Sequence, residues 1–194
     1  MQTLLFLAPP AVRPLFQRLL LTWLLLLGGA AVHGQSPCEG ERPTMNLPPS
    51  LRCPNWGGGS CVHAATVMLL RWQGQAEAAD WWRSRYQGGE YAQRLHQRLA
   101  AAHLRYACTT QGDVAFLDWA LRTRRGAGVT FWPGHAVNLV HLDAQWAGLL
   151  DNNRLEEVIW IPRAEFVARW RGYGGWGWTV VYTPPPPLPC VPLR

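Results

Sequence analysis

The hydrophobic period changes at Gly126, and that change constrains the fold more than any other feature of the sequence. Before it, apolar residues recur at helical spacing. Val62, Ala65, Leu69 and Trp72 share one face of a helix over 61–73, and Val114, Leu117 and Leu121 share one face of a helix over 113–124. Between them a helical region spans 76–102, broken at Gly88-Gly89. Gly126 itself stands where a helix terminates. Beyond it the runs 129–132, 135–142, 146–150, 158–161 and 178–182 read as strands, with a short helix over 163–170 between the last two. Helices first and strands afterwards predict an α+β domain, its N-terminal helices packed on a C-terminal antiparallel sheet. With 48% hydrophobic and 15% charged residues, the chain is neither disordered nor fibrous.

The two ends stand apart from this domain. Arg13 and Arg18 precede the apolar run Leu19–Leu27, followed by Gly28, Gly29, Ala30 and Ala31. Basic, apolar and small residues in that order mark a secretory signal peptide over 1–34, with Gln35 as the mature start. The apolar run is shorter than the ~20 residues of a spanning helix. The stretch Leu4–Leu7 lengthens the hydrophobic region, so a retained N-terminal anchor is the alternative. The expected location is secreted or periplasmic, with membrane contact only through that anchor. Residues 35–52 read as an extended lead-in, 53–183 as the folded domain and 184–194 as a Pro-rich tail.

The net charge of +6 comes entirely from arginine, spread along the chain without a lysine-rich segment. Nothing in that distribution points to nucleic acid. Export makes disulfides permissible, and all five cysteines lie beyond residue 34. An odd number leaves at least one thiol unpaired. The expectation is a free Cys61 and two disulfides among Cys38, Cys53, Cys108 and Cys190, in any of three connectivities. No pair has C-x-x-C spacing, so no metal site is expected.

Chemistry concentrates in Asn55-Trp56-Gly57-Gly58-Gly59-Ser60-Cys61. A glycine run lets a ligand approach the backbone, and Ser60 stands at the N-cap position of the helix that follows. Cys61 then occupies the first turn, where unpaired N–H groups and the positive end of the helix dipole lower a thiol pKa. The same amides suit a developing oxyanion.

A thiol nucleophile needs a base. Of the six histidines, His33 belongs to the signal, His63 points to another face of the Cys61 helix, and His96 and His103 lie on a polar, Arg-rich segment and read as solvated. His135 and His141 share a strand but lie about 20 Å apart at strand rise, so only one can serve. A hairpin turn centred on Asp143 would place His135 directly opposite Asp151, an imidazole facing a carboxylate. His141 would then sit at the turn without an orienting group. A one-residue slip would give the third role to Asn152, and Asn153 returns to the correct face one pair further out.

These residues resemble the motifs of papain-like cysteine peptidases. Gly59-Ser60-Cys61 is similar to the family's nucleophile motif and Gly134-His135-Ala136-Val137 to its histidine strand. Asp151-Asn152 stands where the family has Asp or Asn. Asn55 occupies the position, six residues before the nucleophile, of the amide that completes the oxyanion hole, usually a Gln. Val62 stands in place of the Trp common in the papain branch, and an Asp in the third role brings the chain nearest to the bacterial C39-like branch. The resemblance covers roughly residues 53–183. It implies a papain-like fold and hydrolysis of a peptide or protein substrate by Cys61, His135 and Asp151, without cofactor or metal. Two alternatives use the same scaffold: a thiol-dependent peptidoglycan amidase or transglutaminase-like acyl transferase, and a non-catalytic module whose twelve tryptophans line a binding cleft. Against the latter, Trp72, Trp81, Trp119 and Trp170 fall at amphipathic helix positions and read as core. Oligomeric state is not encoded in any of these features.

Overall fold

The computed structural model describes residues 48–182, all within Pro37–Arg194, one of the chain's two compact units. The signal peptide, most of the lead-in, the Pro-rich tail, Cys38 and Cys190 lie outside the described residues. A short 3-10 turn at Pro49–Leu51 leads to three helices: α1 (Cys61–Trp72), α2 (Ala76–Arg85) and α3 (Ala92–Ala101). Strand β1 (Tyr106–Thr109) and helix α4 (Val114–Arg122) follow. Then come β2 (Ala127–Thr130), β3 (Ala136–Leu142), β4 (Trp146–Asp151), β5 (Arg154–Pro162), α5 (Arg163–Gly172) and β6 (Gly177–Val180). All strand pairs are antiparallel, in the order β1-β6-β2-β3-β4-β5. The α+β architecture expected from the change of period is therefore present.

Strand alternation divides the interior into two cores. Ala136 and Leu150 face α1, joined by Trp82 of α2 and by Leu95 and Leu99 of α3. Their chain neighbours Val137 and Leu149 face the other way, toward Leu117 and Ala120 of α4 and Phe166 and Trp170 of α5. Helix α1 buries every residue except Arg71, as a helix covered on several sides must. Trp178 of β6 fastens it to the sheet. Its indole N–H donates to the Thr66 hydroxyl at 3.1 Å, and its ring packs on Gly128, where a Cβ would stand 2.4 Å from ring carbon.

Two expectations need correction here, and one strand was not expected at all. Strand β1 carries no period of its own and gains its conformation by pairing with β6, Tyr106 opposite Val180. Strand β5 starts at Arg154, well before 158, because its first half is an exposed charged stretch carrying Glu156 and Glu157. Trp72 and Trp170 are core residues and Trp119 is half-buried, but Trp81 is 47% exposed while its neighbour Trp82 is buried. Adjacent helical residues point about 100° apart, and only Trp82 faces inward.

The disulfide expectation is also not met where it can be seen. Cys53, Cys61 and Cys108 all carry free thiols. Cys53 is fully buried and its sulfur accepts from Arg83 at 3.5 Å, whereas Cys108 is exposed on β1 beside His96, at 3.7 Å. These surroundings hold the two sulfurs in separate places, so they do not bridge each other.

Candidate active site

The loop before α1 is built around positive φ. Gly57, Gly58 and Gly59 have φ of 89°, 59° and 82°, a run that L side chains rarely adopt. Asn55 organises it: its Oδ1 accepts from the Gly57 N–H at 3.2 Å and from the Ser60 hydroxyl at 2.5 Å, and Ser60 Oγ accepts from the Trp56 N–H at 3.1 Å. Ser60 is thus a loop tie and makes no side-chain cap to the helix. Two donors fix the Asn55 oxygen in the loop and leave Nδ2 as its remaining polar atom. The glycines also admit a second chain segment. A Cβ on Gly59 would lie 3.4 Å from Gly89, in the turn between α2 and α3.

Cys61 opens α1 and is 5% exposed. Burial raises a thiol pKa, but here hydrogen bonding to His135 and to the Ala136 and Val62 backbones, with the imidazole's charge, outweighs it. The Cys61 thiol is held below its ordinary value.

His135 sits one residue ahead of β3, at the close of the β2–β3 turn. Its carbonyl accepts from Phe131 at 2.9 Å, and Trp132 and Gly134 take positive φ of 69° and 68° to bring it there. Nε2 of His135 lies 2.7 Å from Asp151 Oδ1. A carboxylate only accepts, so Nε2 carries the proton and Nδ1 is left for Cys61. The hydrogen bond to Asp151, then that to Cys61, pushes the His135 pKa up to about 9 despite partial burial. Burial pushes the Asp151 pKa upward; the bonds from His135 and the Asn153 N–H, aided by the charges of His135 and Arg154, more than offset it and hold the carboxyl below its usual range.

The structure therefore brings Cys61, His135 and Asp151 together, but by a different hairpin register. Asn138 pairs with Leu150 and Leu139 with Leu149; after a bulge His141 pairs with Gly148. The turn is displaced because Asp143 Oδ1 accepts the N–H groups of Gln145 and Trp146, at 2.7 and 2.6 Å, and so lies at its start. Continued toward the strand end, this register sets Asp151 against Val137, diagonal to His135 and on the same face. His141 also departs from expectation: it lies within β3 and has its own carboxylate, Asp143, at 2.8 Å.

The remaining residues fall in distinct places. Asn153 is exposed and contributes its backbone N–H to Asp151 at 2.9 Å, not its side chain. Asn152 does not touch His135. It is 2% exposed, and Nδ2 donates to the carbonyls of Cys61, at 3.1 Å, and Ala136, at 2.8 Å. His63 is fully buried, accepts from the Trp82 indole at 3.3 Å, and has its pKa lowered to about 4 by burial and by Arg98, so it is neutral. His96 is not solvated as expected. It is partly buried against Tyr106, and burial lowers its pKa.

A pocket opens between the Gly59 loop and the β2–β3 turn, lined by Cys61, His135, Gly59, Gly89, Glu90 and Thr130 among others; Asn55 is not among them. Glu90 was not singled out by sequence reasoning, and its only local signal is its place after Gly88-Gly89. Its side chain is wholly buried, 2.6 Å from Arg98 Nε and 3.9 Å from His63 Nε2, so it braces the α2–α3 turn against α1.

No protein-family model matches the chain, and no curated protein matches it. Among solved structures it is similar to a Bacillus anthracis chain described as a C39-like peptidase, at 11% identity with a TM-score of 0.53, over 75% of this chain and 100% of that one. A double glycine motif protease from an AMS/PCAT transporter, in complex with the leader peptide, aligns at 13% identity and a TM-score of 0.47, over 74% of this chain and 96% of that one. The chain shares the fold of that C39-like peptidase.

Proposed function

We propose that this protein is an exported cysteine peptidase that hydrolyses peptide bonds through a thioacyl-enzyme. The observation that carries the proposal is the convergence on one pocket of Cys61, at the N-terminus of a helix with its sulfur 4.0 Å from the Gly134 carbonyl, and of His135, which is hydrogen-bonded to Asp151 at 2.7 Å. The Cys61 thiolate attacks the scissile carbonyl carbon. As the C–N bond breaks, the His135 imidazolium gives its Nδ1 proton to the leaving amine. His135 then takes a proton from water, the resulting hydroxide adds to the thioester, and the carboxylic acid departs with Cys61 again a thiolate. Asp151 keeps the ring in the tautomer that presents Nδ1 and stabilises its charge. Oxyanion stabilisation falls to the Cys61 backbone N–H and to Asn55 Nδ2.

No tryptophan lines the pocket beside Cys61, which counts against a Trp-lined cleft at this site. The C39-like fold favours a peptide over other acyl substrates. The test is turnover of a peptide library by mature protein and by Cys61→Ala. Cleavage by the first and none by the second supports the proposal; release from muropeptides without cleavage of any peptide substrate replaces it with the amidase.

A further inference from the structure

Three segments that carry the proposed chemistry meet at one residue whose side chain takes no part in it. The Asn152 amide is buried, and Nδ2 donates to the carbonyl of Cys61, on the nucleophile itself, and to that of Ala136, next to His135. Its own backbone carbonyl accepts the N–H of Asn55 at 2.9 Å. Both side-chain partners are carbonyl oxygens, which only accept, so the amide can sit only with its nitrogen toward them. Its oxygen has no hydrogen-bond partner, which leaves these two bonds as the side chain's only polar anchors.

We propose that Asn152 is a positioning residue: it clamps the first turn of α1 to the start of β3 and thereby sets the gap between the Cys61 sulfur and the His135 ring. The role rests on the reading of Cys61 and His135 as nucleophile and base. No other polar side chain bonds to both Cys61 and Ala136 among the described residues. Helix α1 and strand β3 otherwise meet through apolar contact, which is not directional, and through one bond a turn further along α1, from Asn138 Nδ2 to the Ala65 carbonyl at 3.1 Å, which touches neither Cys61 nor Ala136. A thiolate–imidazolium pair needs its two atoms at hydrogen-bond distance, and a shift of about 1 Å costs on the order of 100-fold in rate. The same geometry explains why the residue is an amide and not a carboxylate. An aspartate would set negative oxygen against two carbonyls.

The test compares Asn152→Ser, which loses the reach to both carbonyls, and Asn152→Asp, which keeps the shape and loses the donors. Leu117→Ala, in the opposite core, serves as a control of comparable thermal destabilisation. The readout is the pH dependence of Cys61 alkylation by iodoacetamide, followed by mass spectrometry, with the His135 titration followed by NMR. Both Asn152 variants should move the alkylation midpoint toward the ordinary thiol value near 8.5 and slow alkylation at pH 6 by roughly tenfold or more. kcat should fall about 100-fold with KM little changed. Leu117→Ala should lower Tm and leave the alkylation profile in place. If either Asn152 variant folds and keeps the wild-type profile, the clamp is overturned whatever its Tm. A wild type that cleaves no peptide removes the proposed function and leaves the alkylation comparison standing. A wild-type midpoint already near 8.5 overturns both.

Discussion

A single carboxylate oxygen, Oδ1 of Asp151, receives both the His135 ring at 2.7 Å and the backbone N–H of Asn153 at 2.9 Å. The Asn153 donor is fixed by the chain, so whatever occupies that position must be an acceptor. An Asp151→Asn side chain would have to place its oxygen there, and the same oxygen would go on accepting from His135 Nε2. The ring would keep its tautomer and lose only the neighbouring charge.

Asp151→Asn should therefore lose roughly tenfold in kcat/KM, and Asp151→Ala, which frees the ring to turn, at least several times more. The His135 titration, followed by NMR, should fall below its present value near 9 in both variants. A larger loss in Asp151→Asn than in Asp151→Ala would mean that the amide is flipped and the tautomer wrong.

The pH profile of activity should be bell-shaped. The thiolate–imidazolium pair forms as the first proton leaves, at the lowered Cys61 pKa, and is lost as His135 deprotonates near 9. Because the two groups interact, both limbs belong to the pair. Stability should follow the same sign: the part contributed by protonated His135 is full below about 6.5 and declines as pH rises through about 9. Initial rates and thermal midpoints across pH 5–10 check both, and an alkaline limb below pH 7 would contradict the pairing.

Asn55→Ala should lower kcat by roughly 10–1000-fold while leaving Cys61 alkylation nearly unchanged, because an oxyanion donor acts on the developing intermediate and not on the free thiol. Asn55 also ties the glycine loop through Gly57 and Ser60, so Tm must be measured alongside. Equal losses in alkylation and turnover would assign Asn55 to the loop alone.

What could be read from the sequence was local. The glycine run before Cys61 and the helical face behind it mark α1 within a residue of its bounds, and Pro133-Gly134 marks the turn that delivers His135. The register of β3 on β4 was not legible. It depends on Asp143 starting the turn with its own side chain and on a bulge between Leu139 and His141, neither of which has a period. The resulting displacement at the His135 end is two residues. An even slip leaves every side chain on its face, so Asp151 still reaches His135. Asn152 was legible only as a neighbour of Asp151; its partners are carbonyls more than a dozen residues away in each case.

The most direct measurement is competition among the thiols of the native protein for limiting iodoacetamide at pH 6, mapped by mass spectrometry. Among the described cysteines, Cys108 is exposed but burial-raised in pKa, and Cys53 is buried and likewise raised; of these three only Cys61 is lowered. Cys61 should be labelled first, although it is 5% exposed, and should lose that precedence in His135→Ala. Labelling that follows exposure, with Cys108 ahead of Cys61 in the wild type, would contradict an activated nucleophile at this site.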